Sequence, residues 1–504
     1  MIVRDPRWRF AAGVVLAYLP VALFAIFHHE MWRDELHCWL VARDSATPWD
    51  VVRNRAYDGQ PPLWYLLLWC LQRVTSNPVA MQAAHVAIAV AVVAVFARYA
   101  PFGRAARAAF PFGYFLAYEY VALTRCYGLA LLFALLLCVL HERRFERPRR
   151  VALLLAALAL TTTVATMVVV AYTGALLVDA VAGARRGLRS AWRAWLPIAA
   201  GAAGCLAAAL CTWPPADSTV AHIALPHALP GDDAPTRLIV ALAPIPRIDF
   251  FFWNSNALLA WEPFRRIAFP VSVALAAWIV FLLSRVRAAA IVFGAGAALL
   301  VALFACVYGG DVRHHGFLFV LFLMGAWIVR ASPSPPEQGR WGRVREAGLA
   351  PTLAGVLALH ALGTPVALYY DAKYIFSSGR RAADALRAAG LADSLLVAEV
   401  DFPATAVIGF LGNASAYSPR TGRTFSFVKW TRDRRWDPTD EETIKYAADL
   451  GAAKGRDAVL LMNRPLVPAL VDGTAVARVA ELYDSMIEEE NFYIYRVARG
   501  SNVR

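Results

Sequence analysis

The sequence predicts a polytopic α-helical membrane protein of about eleven transmembrane helices that carries a soluble α/β domain at its C-terminus. Three observations predict it. Hydrophobic residues fill 59% of the 504 positions, charged residues only 17%, and the mean hydropathy is +0.49, a balance found in lipid-facing proteins. Many apolar runs approach the roughly 20 residues that cross a hydrocarbon core of about 30 Å. Arginines gather in the short loops between these runs, as the positive-inside rule requires of cytoplasmic loops. The formal charge of +13 is therefore read as topology and attraction to anionic lipid, not as nucleic-acid binding.

The first run, Phe10 to Phe27, follows Arg7 and Arg9. It is too long for a signal-peptide core, and His28-His29-Glu30 stands in place of a small-residue cleavage site, so it is read as an uncleaved first span. Taking the arginine clusters Arg98 to Arg107, Arg143 to Arg150, Arg185 to Arg193, Arg285 to Arg287 and Arg330 to Arg345 as cytoplasmic fixes the parity of the spans between them. Residues 29–60 then form an external loop. The run Pro61 to Leu71 is short and opens on two prolines, which predicts an interfacial or re-entrant helix. Further spans are expected at about 79–97, 108–122 and 124–141, and as a tight pair within 151–182 that turns at Thr161-Thr162-Thr163. The remaining spans are expected at about 194–212, 266–284, 289–308, 313–330 and 349–369.

This parity places loop 213–265 and residues 371–504 outside. The loop carries Trp213-Pro214-Pro215 and Phe250-Phe251-Phe252-Trp253, suited to the membrane interface, and serves either as a lid or as an ordinary packed connector. The two domains are thus 1–370, transmembrane, and 371–504, extracytoplasmic. In the second, Leu395 to Val400, Ala458 to Met462 and Asn491 to Val497 read as strands, with helices near 378–390 and 441–454. The seven cysteines lack zinc or disulfide spacing and read as small packing residues. No phosphate loop, dinucleotide fingerprint or internal repeat is found.

Four polar clusters fall on the outer face. Asp34 and Glu35 follow the first span closely, where a carboxylate pair can take a proton from a hydroxyl or hold a divalent cation. Asp58 and Gln60 lie in a turn that runs into the Pro61-Pro62 helix start, a preorganised position for proline. Glu119, Arg125 and Tyr127 bracket the turn between the spans at 108–122 and 124–141, where Glu119 and Arg125 either serve a site or pair to make their burial tolerable. Asp311-Val312-Arg313-His314-His315 opens a later span, with cationic and hydrogen-bonding groups suited to a lipid phosphate. The adjacent histidines alone make a poor metal site. Ionisable residues are nearly absent from the expected midplane, where secondary transporters place their sites. A rim site favours an enzyme acting on a lipid headgroup over a lipid or polyprenol transporter or a non-catalytic assembly scaffold.

Asp34-Glu35 after span one, Gln60-Pro61-Pro62-Leu63-Trp64-Tyr65, Arg125-Cys126-Tyr127-Gly128-Leu129 and Arg313-His314-His315 occur in an order that resembles the GT-C superfamily of polyprenyl-phosphate-dependent glycosyltransferases. That group includes protein O-mannosyltransferases and bacterial lipid A aminoarabinose transferases, and the resemblance covers about residues 1–330. It implies a membrane glycosyltransferase that moves a sugar from a polyprenyl-phosphate donor to a lipid, glycan or protein acceptor with inversion. It implies Asp34 as base beside Glu35, donor phosphate on Arg125, Arg313, His314 and His315, and substrate contacts from Asp58, Gln60, Glu119 and Tyr127. A divalent cation is compatible with this reading but not required. Gln60 departs from the histidine that many relatives carry before the proline pair. The absence of a Trp-Trp-Asp signature in the C-terminal domain argues against en bloc glycan transfer to asparagine. Arginine and alanine richness suggests a GC-rich bacterial genome, hence an inner-membrane location and an undecaprenyl or decaprenyl carrier.

Overall fold

In the computed structural model, residues 5–185, 191–219, 234–332, 339–412, 414–471 and 473–500 are described. The expected loop 213–265 therefore lies in part, at 220–233, outside the described residues. Eight helices are long and apolar enough to cross a membrane: Pro6–His28, Val79–Tyr99, Thr163–Gly183, Arg193–Thr212, Glu262–Leu283, Arg287–Cys306, Val312–Ala331 and Gly339–Lys373. They match eight of the expected spans and establish a polytopic helical membrane protein. Helix Val312–Ala331 is buried from Val312 to Val329, as expected of a helix that is apolar on all sides. It forms the axis of the bundle.

The other three expected spans depart from regular form. The tight pair is a helical hairpin, but unequal: Pro148–Ala159 and Thr163–Arg185, turning at Leu160 to Thr162. Helix Tyr127–Leu140 has 14 residues, about 21 Å of rise. The expected span 108–122 is not a continuous helix. Its chain passes from helix Arg104–Ala109 through a 3₁₀ turn at Phe110–Phe112 into a π-helical turn at Phe115–Glu119, closed by the Tyr120 N–H donating to the Phe115 carbonyl at 2.6 Å. Pro111 removes a donor at the break. Residues 113–124 are all buried, and irregular backbone at membrane depth is tolerated where protein surrounds it. Gly316 makes this packing possible, because a Cβ there would collide with the Tyr120 hydroxyl and the Phe115 ring.

Helix Leu63–Gln72 has 10 residues, far short of a span, in keeping with the expectation of an interfacial or re-entrant helix. Members of three of the arginine clusters pair with carboxylates at helix ends. Arg98 pairs with Asp5 at 2.9 Å, Arg144 with Asp179 at 2.8 Å and Arg285 with Glu346 at 3.8 Å. Each pair joins helix ends opposite to the one where His29, Arg125 and Arg313 lie.

Past Lys373 the chain forms a six-stranded mixed sheet of order β3-β2-β1-β4-β6-β5. The strands are β1 Leu395–Ala398, β2 Ala416–Ser418, β3 Arg423–Phe425, β4 Ala458–Met462, β5 Val476–Leu482 and β6 Phe492–Val497. β1 pairs in parallel with β2 and β4, and the remaining pairings are antiparallel. The central strands β1 and β4 are buried at every position, the continuous apolar pattern of strands covered on both faces. Helices Gly379–Ala388 and Asp401–Phe410 cover one face, and Asp440–Lys454 covers the other. The first face also takes in Leu40 of helix Arg33–Arg43, while Gly409 lies so close to Leu36 that a Cβ would clash. The domain is thereby seated on the helix that carries Asp34.

Candidate active site

Helix Arg33–Arg43 starts five residues after the first span ends. Asp34 and Glu35 stand in its first turn, where carboxylates are favoured by the helix dipole. The two then diverge. The Asp34 side chain is 34% exposed and its Oδ2 accepts from Arg313 Nη2 at 3.2 Å. Glu35 is fully buried. Its Oε1 accepts from the backbone N–H and the hydroxyl of Thr124, both at 2.6 Å, and its Oε2 accepts from the Trp32 N–H at 3.2 Å and meets His29 Nε2 at 3.3 Å. The other ring nitrogen of His29 meets Asp371 at 3.2 Å. Burial opposes the charge of His29, but Asp371 and Glu35 outweigh it and raise its pKa to about 10. Burial likewise opposes ionisation of Glu35, and the His29 charge with the Thr124 hydrogen bonds holds its carboxyl below the ordinary range.

Arg125 follows Thr124 and reaches back to the same helix. Its Nη1 donates to the Asp34 carbonyl and to the Cys38 sulfur. Among the described residues no carboxylate lies within ion-pair distance of Arg125. Arg313 is only 5% exposed, paired with Asp311 at 2.7 Å as well as with Asp34, and lies against the paired rings of Trp32 and Trp253 at 5.7 and 5.6 Å. His314 Nδ1 accepts the Asp311 N–H at 2.9 Å. The ring is then neutral with its proton on Nε2, which donates to the Tyr127 oxygen at 2.7 Å. The Tyr127 phenol proton is left to donate elsewhere.

On the opposite wall Asp58 accepts from His37 Nε2 at 2.9 Å and from the Tyr65 hydroxyl at 2.7 Å. Burial raises the carboxyl, but the His37 and Tyr65 contacts outweigh it and hold Asp58 below the usual carboxylate range. Gly59 takes φ +63°, a left-handed turn that favours glycine. Its carbonyl accepts from the Thr163 hydroxyl and the Gln60 side chain accepts from the Thr162 hydroxyl, each at 3.0 Å.

These walls enclose a cavity of about 500 Å³ at one end of the bundle, beneath the sheet domain. Of the residues singled out by sequence, Asp34, Asp58, Gln60, Arg125, Tyr127, Arg313 and His314 line it. Three do not. Glu35 faces away into the network just described. Glu119 is buried and accepts from the Tyr114 hydroxyl at 3.0 Å, and pairs with Arg125 in none of the described contacts, so neither of its two sequence readings is met. His315 Nε2 meets the Gly309 carbonyl at 2.9 Å and its ring packs on Phe304. Sequence reading missed His37, Tyr308, Arg33 and the C-terminal residues Phe402, Val428 and Trp430, which also line the cavity. His37 alone offered a signal: it is three residues beyond Asp34, hence on the same helical face.

From loop 213–265, Pro214 lines the cavity, Asp217 accepts from the Tyr57 hydroxyl at 3.0 Å, and Asn254 donates to Asp311 at 2.8 Å. Among the described residues no three His, Cys, Asp or Glu side chains group as metal ligands. Asp58 is taken up by His37 and Tyr65, whereas Asp34 keeps Oδ1 unengaged among the described hydrogen bonds.

No family model and no curated protein matches the chain. Two crystal structures of ArnT from Cupriavidus metallidurans are similar to it. The one bound to undecaprenyl phosphate is 14% identical over 97% of this chain and 99% of that one, with a TM-score of 0.49. The apo one is 16% identical over 98% of this chain and 100% of that one, with a TM-score of 0.42.

Proposed function

We propose that this chain is a GT-C-type glycosyltransferase that moves a sugar from a polyprenyl-phosphate donor to an acceptor hydroxyl on the extracytoplasmic face of a bacterial inner membrane. One observation carries the reading. A partly exposed carboxylate, Asp34, shares a cavity at the bundle end with the guanidinium groups of Arg125 and Arg313. The described hydrogen bonds to the Asp34 side chain involve Oδ2, so Oδ1 is the proton acceptor for an incoming hydroxyl.

In the step proposed, the acceptor oxygen forms a bond to the anomeric carbon while its proton passes to Asp34. The bond from that carbon to the phosphate oxygen breaks on the opposite face, and polyprenyl phosphate departs with the electron pair. Inversion follows from the single displacement. A phosphate needs no general acid to leave when cations meet its developing charge, so one carboxylate suffices where a glycosidase needs two. Arg125, which has no carboxylate partner among the described residues, and the Tyr127 phenol are the groups that receive that charge. His37, Asp58 and Gln60 are left to orient the sugar hydroxyls.

The test is transfer by purified wild type and Asp34→Asn from a panel of polyprenyl-phosphate sugars to membrane and protein acceptors. Activity in wild type and a loss of 10³-fold or more in the folded variant is the expected result, that size being of the order that removal of an essential base costs. Equal activity would move the base elsewhere. No transfer from any donor would favour a transporter or an assembly scaffold instead.

A further inference from the structure

A second cavity, of about 540 Å³, lies between the sheet domain and the far end of helix Arg33–Arg43. Its wall toward the candidate active site is the segment Phe427 to Trp430. Val428 lines both cavities, Lys429 faces this one and Trp430 the other, and the same division separates Asp401 from Phe402. Asp44, at the C-terminal end of the helix, lines the second cavity, and Asp34 in its first turn lines the first. Ten residues of helix separate them, about 15 Å.

The lining chemistry is that of a polyhydroxylated ligand. Ser415, Thr421, Thr424 and Thr431 present hydroxyls that both donate and accept. Phe425 and Phe427 are half-buried and offer apolar ring surface. Arg434 also lines the cavity, its side chain 1% exposed, its Nη1 paired with Asp401 and its Cζ 5.2 and 5.7 Å from the ring centres of Trp430 and Trp436. A few fixed polar groups around ring surfaces describe a carbohydrate site. An extended peptide fits less well, because β3, the edge strand beside the cavity, has three residues, fewer than the five or six usual for a strand.

We propose that this cavity holds the acceptor, that the acceptor is a glycan chain, and that the chain crosses the Phe427 to Trp430 segment to bring its terminal hydroxyl to Asp34. The role as acceptor site rests on the transferase reading above. The glycan specificity does not.

The full-length protein in phosphatidylglycerol-containing nanodiscs is titrated with maltohexaose, mannohexaose, hexagalacturonate and a Gly-Ser hexapeptide, and separately with undecaprenyl phosphate. Thr424→Val/Lys429→Ala and Arg125→Ala are compared with wild type. At least one hexasaccharide is expected to bind, and Thr424→Val/Lys429→Ala to weaken it tenfold or more with undecaprenyl phosphate binding unchanged. Arg125→Ala is expected to do the reverse. No hexasaccharide binding, equal binding by the Thr424→Val/Lys429→Ala variant, or binding of the hexapeptide alone would overturn the proposal. Hexasaccharide binding without any undecaprenyl phosphate binding would instead overturn the transferase reading and uphold a glycan site.

Discussion

Tyr127 has a role that follows from counting protons. His314 accepts at Nδ1 and donates from Nε2 to the phenol oxygen, so the phenol O–H is free to point at an anion in the cavity. A hydrogen bond to a charged group contributes about 1.5–3 kcal/mol. Tyr127→Phe should therefore reduce transfer by roughly 10- to 100-fold while also lowering stability by about 1–3 kcal/mol, because the buried His314 Nε2–H loses its acceptor, and an unaltered rate would remove Tyr127 from the phosphate site. This residue was legible in the sequence, as were Asp34, Arg125 and Arg313, because a polar group at the end of an apolar run is expensive and calls for a partner or a ligand. His37 was not read. Its meaning depends on Asp58, 21 residues on, and only a folded chain brings the two together. Phe402 and Trp430 lie still further away in sequence and carry no chemistry that marks them out before the sheet domain is seated.

Helix Arg33–Arg43 shows how one element sets the spacing of the site. Glu35 fastens its start to Thr124, the neighbour of Arg125, while His29 and Asp371 tie the same carboxylate to the ends of the first and last spanning helices. The sequence reading put Glu35 beside Asp34 as catalytic because adjacent carboxylates look alike in a string. The helix turns successive side chains about 100° apart, so one faces the cavity and the other the core. Removing one partner of a buried charged network costs about 3–5 kcal/mol because the rest is left uncompensated. Glu35→Ala should lower stability by about that much in denaturant unfolding, whereas Thr124→Val, which keeps the backbone donor, should cost about 1.5–3 kcal/mol. Equal, small effects from both would mean that water replaces the carboxylate.

The spanning helices were legible for the same reason in reverse, since an apolar run of 20 residues has few other uses. The segment at 108–122 was misread because composition cannot distinguish a helix facing lipid from a broken one walled in by protein. In the C-terminal domain β1, β4 and β6 were foreseen from their apolar runs. β2 and β3, of three residues each, are too short to leave a period, and helix Asp401–Phe410 has a buried, nearly continuous apolar run with no helical stripe.

At the scale of the whole molecule, the sheet domain must stay seated for the cavity to have a roof, and a second carboxylate controls that seat. Glu490 is fully buried, accepts from the Arg33 N–H at 3.1 Å and from the Ser377 hydroxyl, and its pKa is pushed by burial up to about 7. Arg33 lines the cavity, so this contact joins the domain to the helix of Asp34. A carboxyl raised in the folded state favours folding while protonated. Its contribution is therefore complete below the unfolded value near 4.5 and is lost as pH rises through about 7. Glu35, lowered by its partners, works in the opposite sense and gives way only under acid. Between pH 5 and 7, then, the Glu490 term should tilt the stability curve downward by an amount on the order of 2–3 kcal/mol, and Glu490→Gln, which keeps an acceptor without a charge, should flatten it. The measurement is the unfolding midpoint of wild type and Glu490→Gln at pH 5, 6 and 7 in one detergent. Parallel pH profiles would show that Glu490 is solvated in the native state and does not control the seat of the domain.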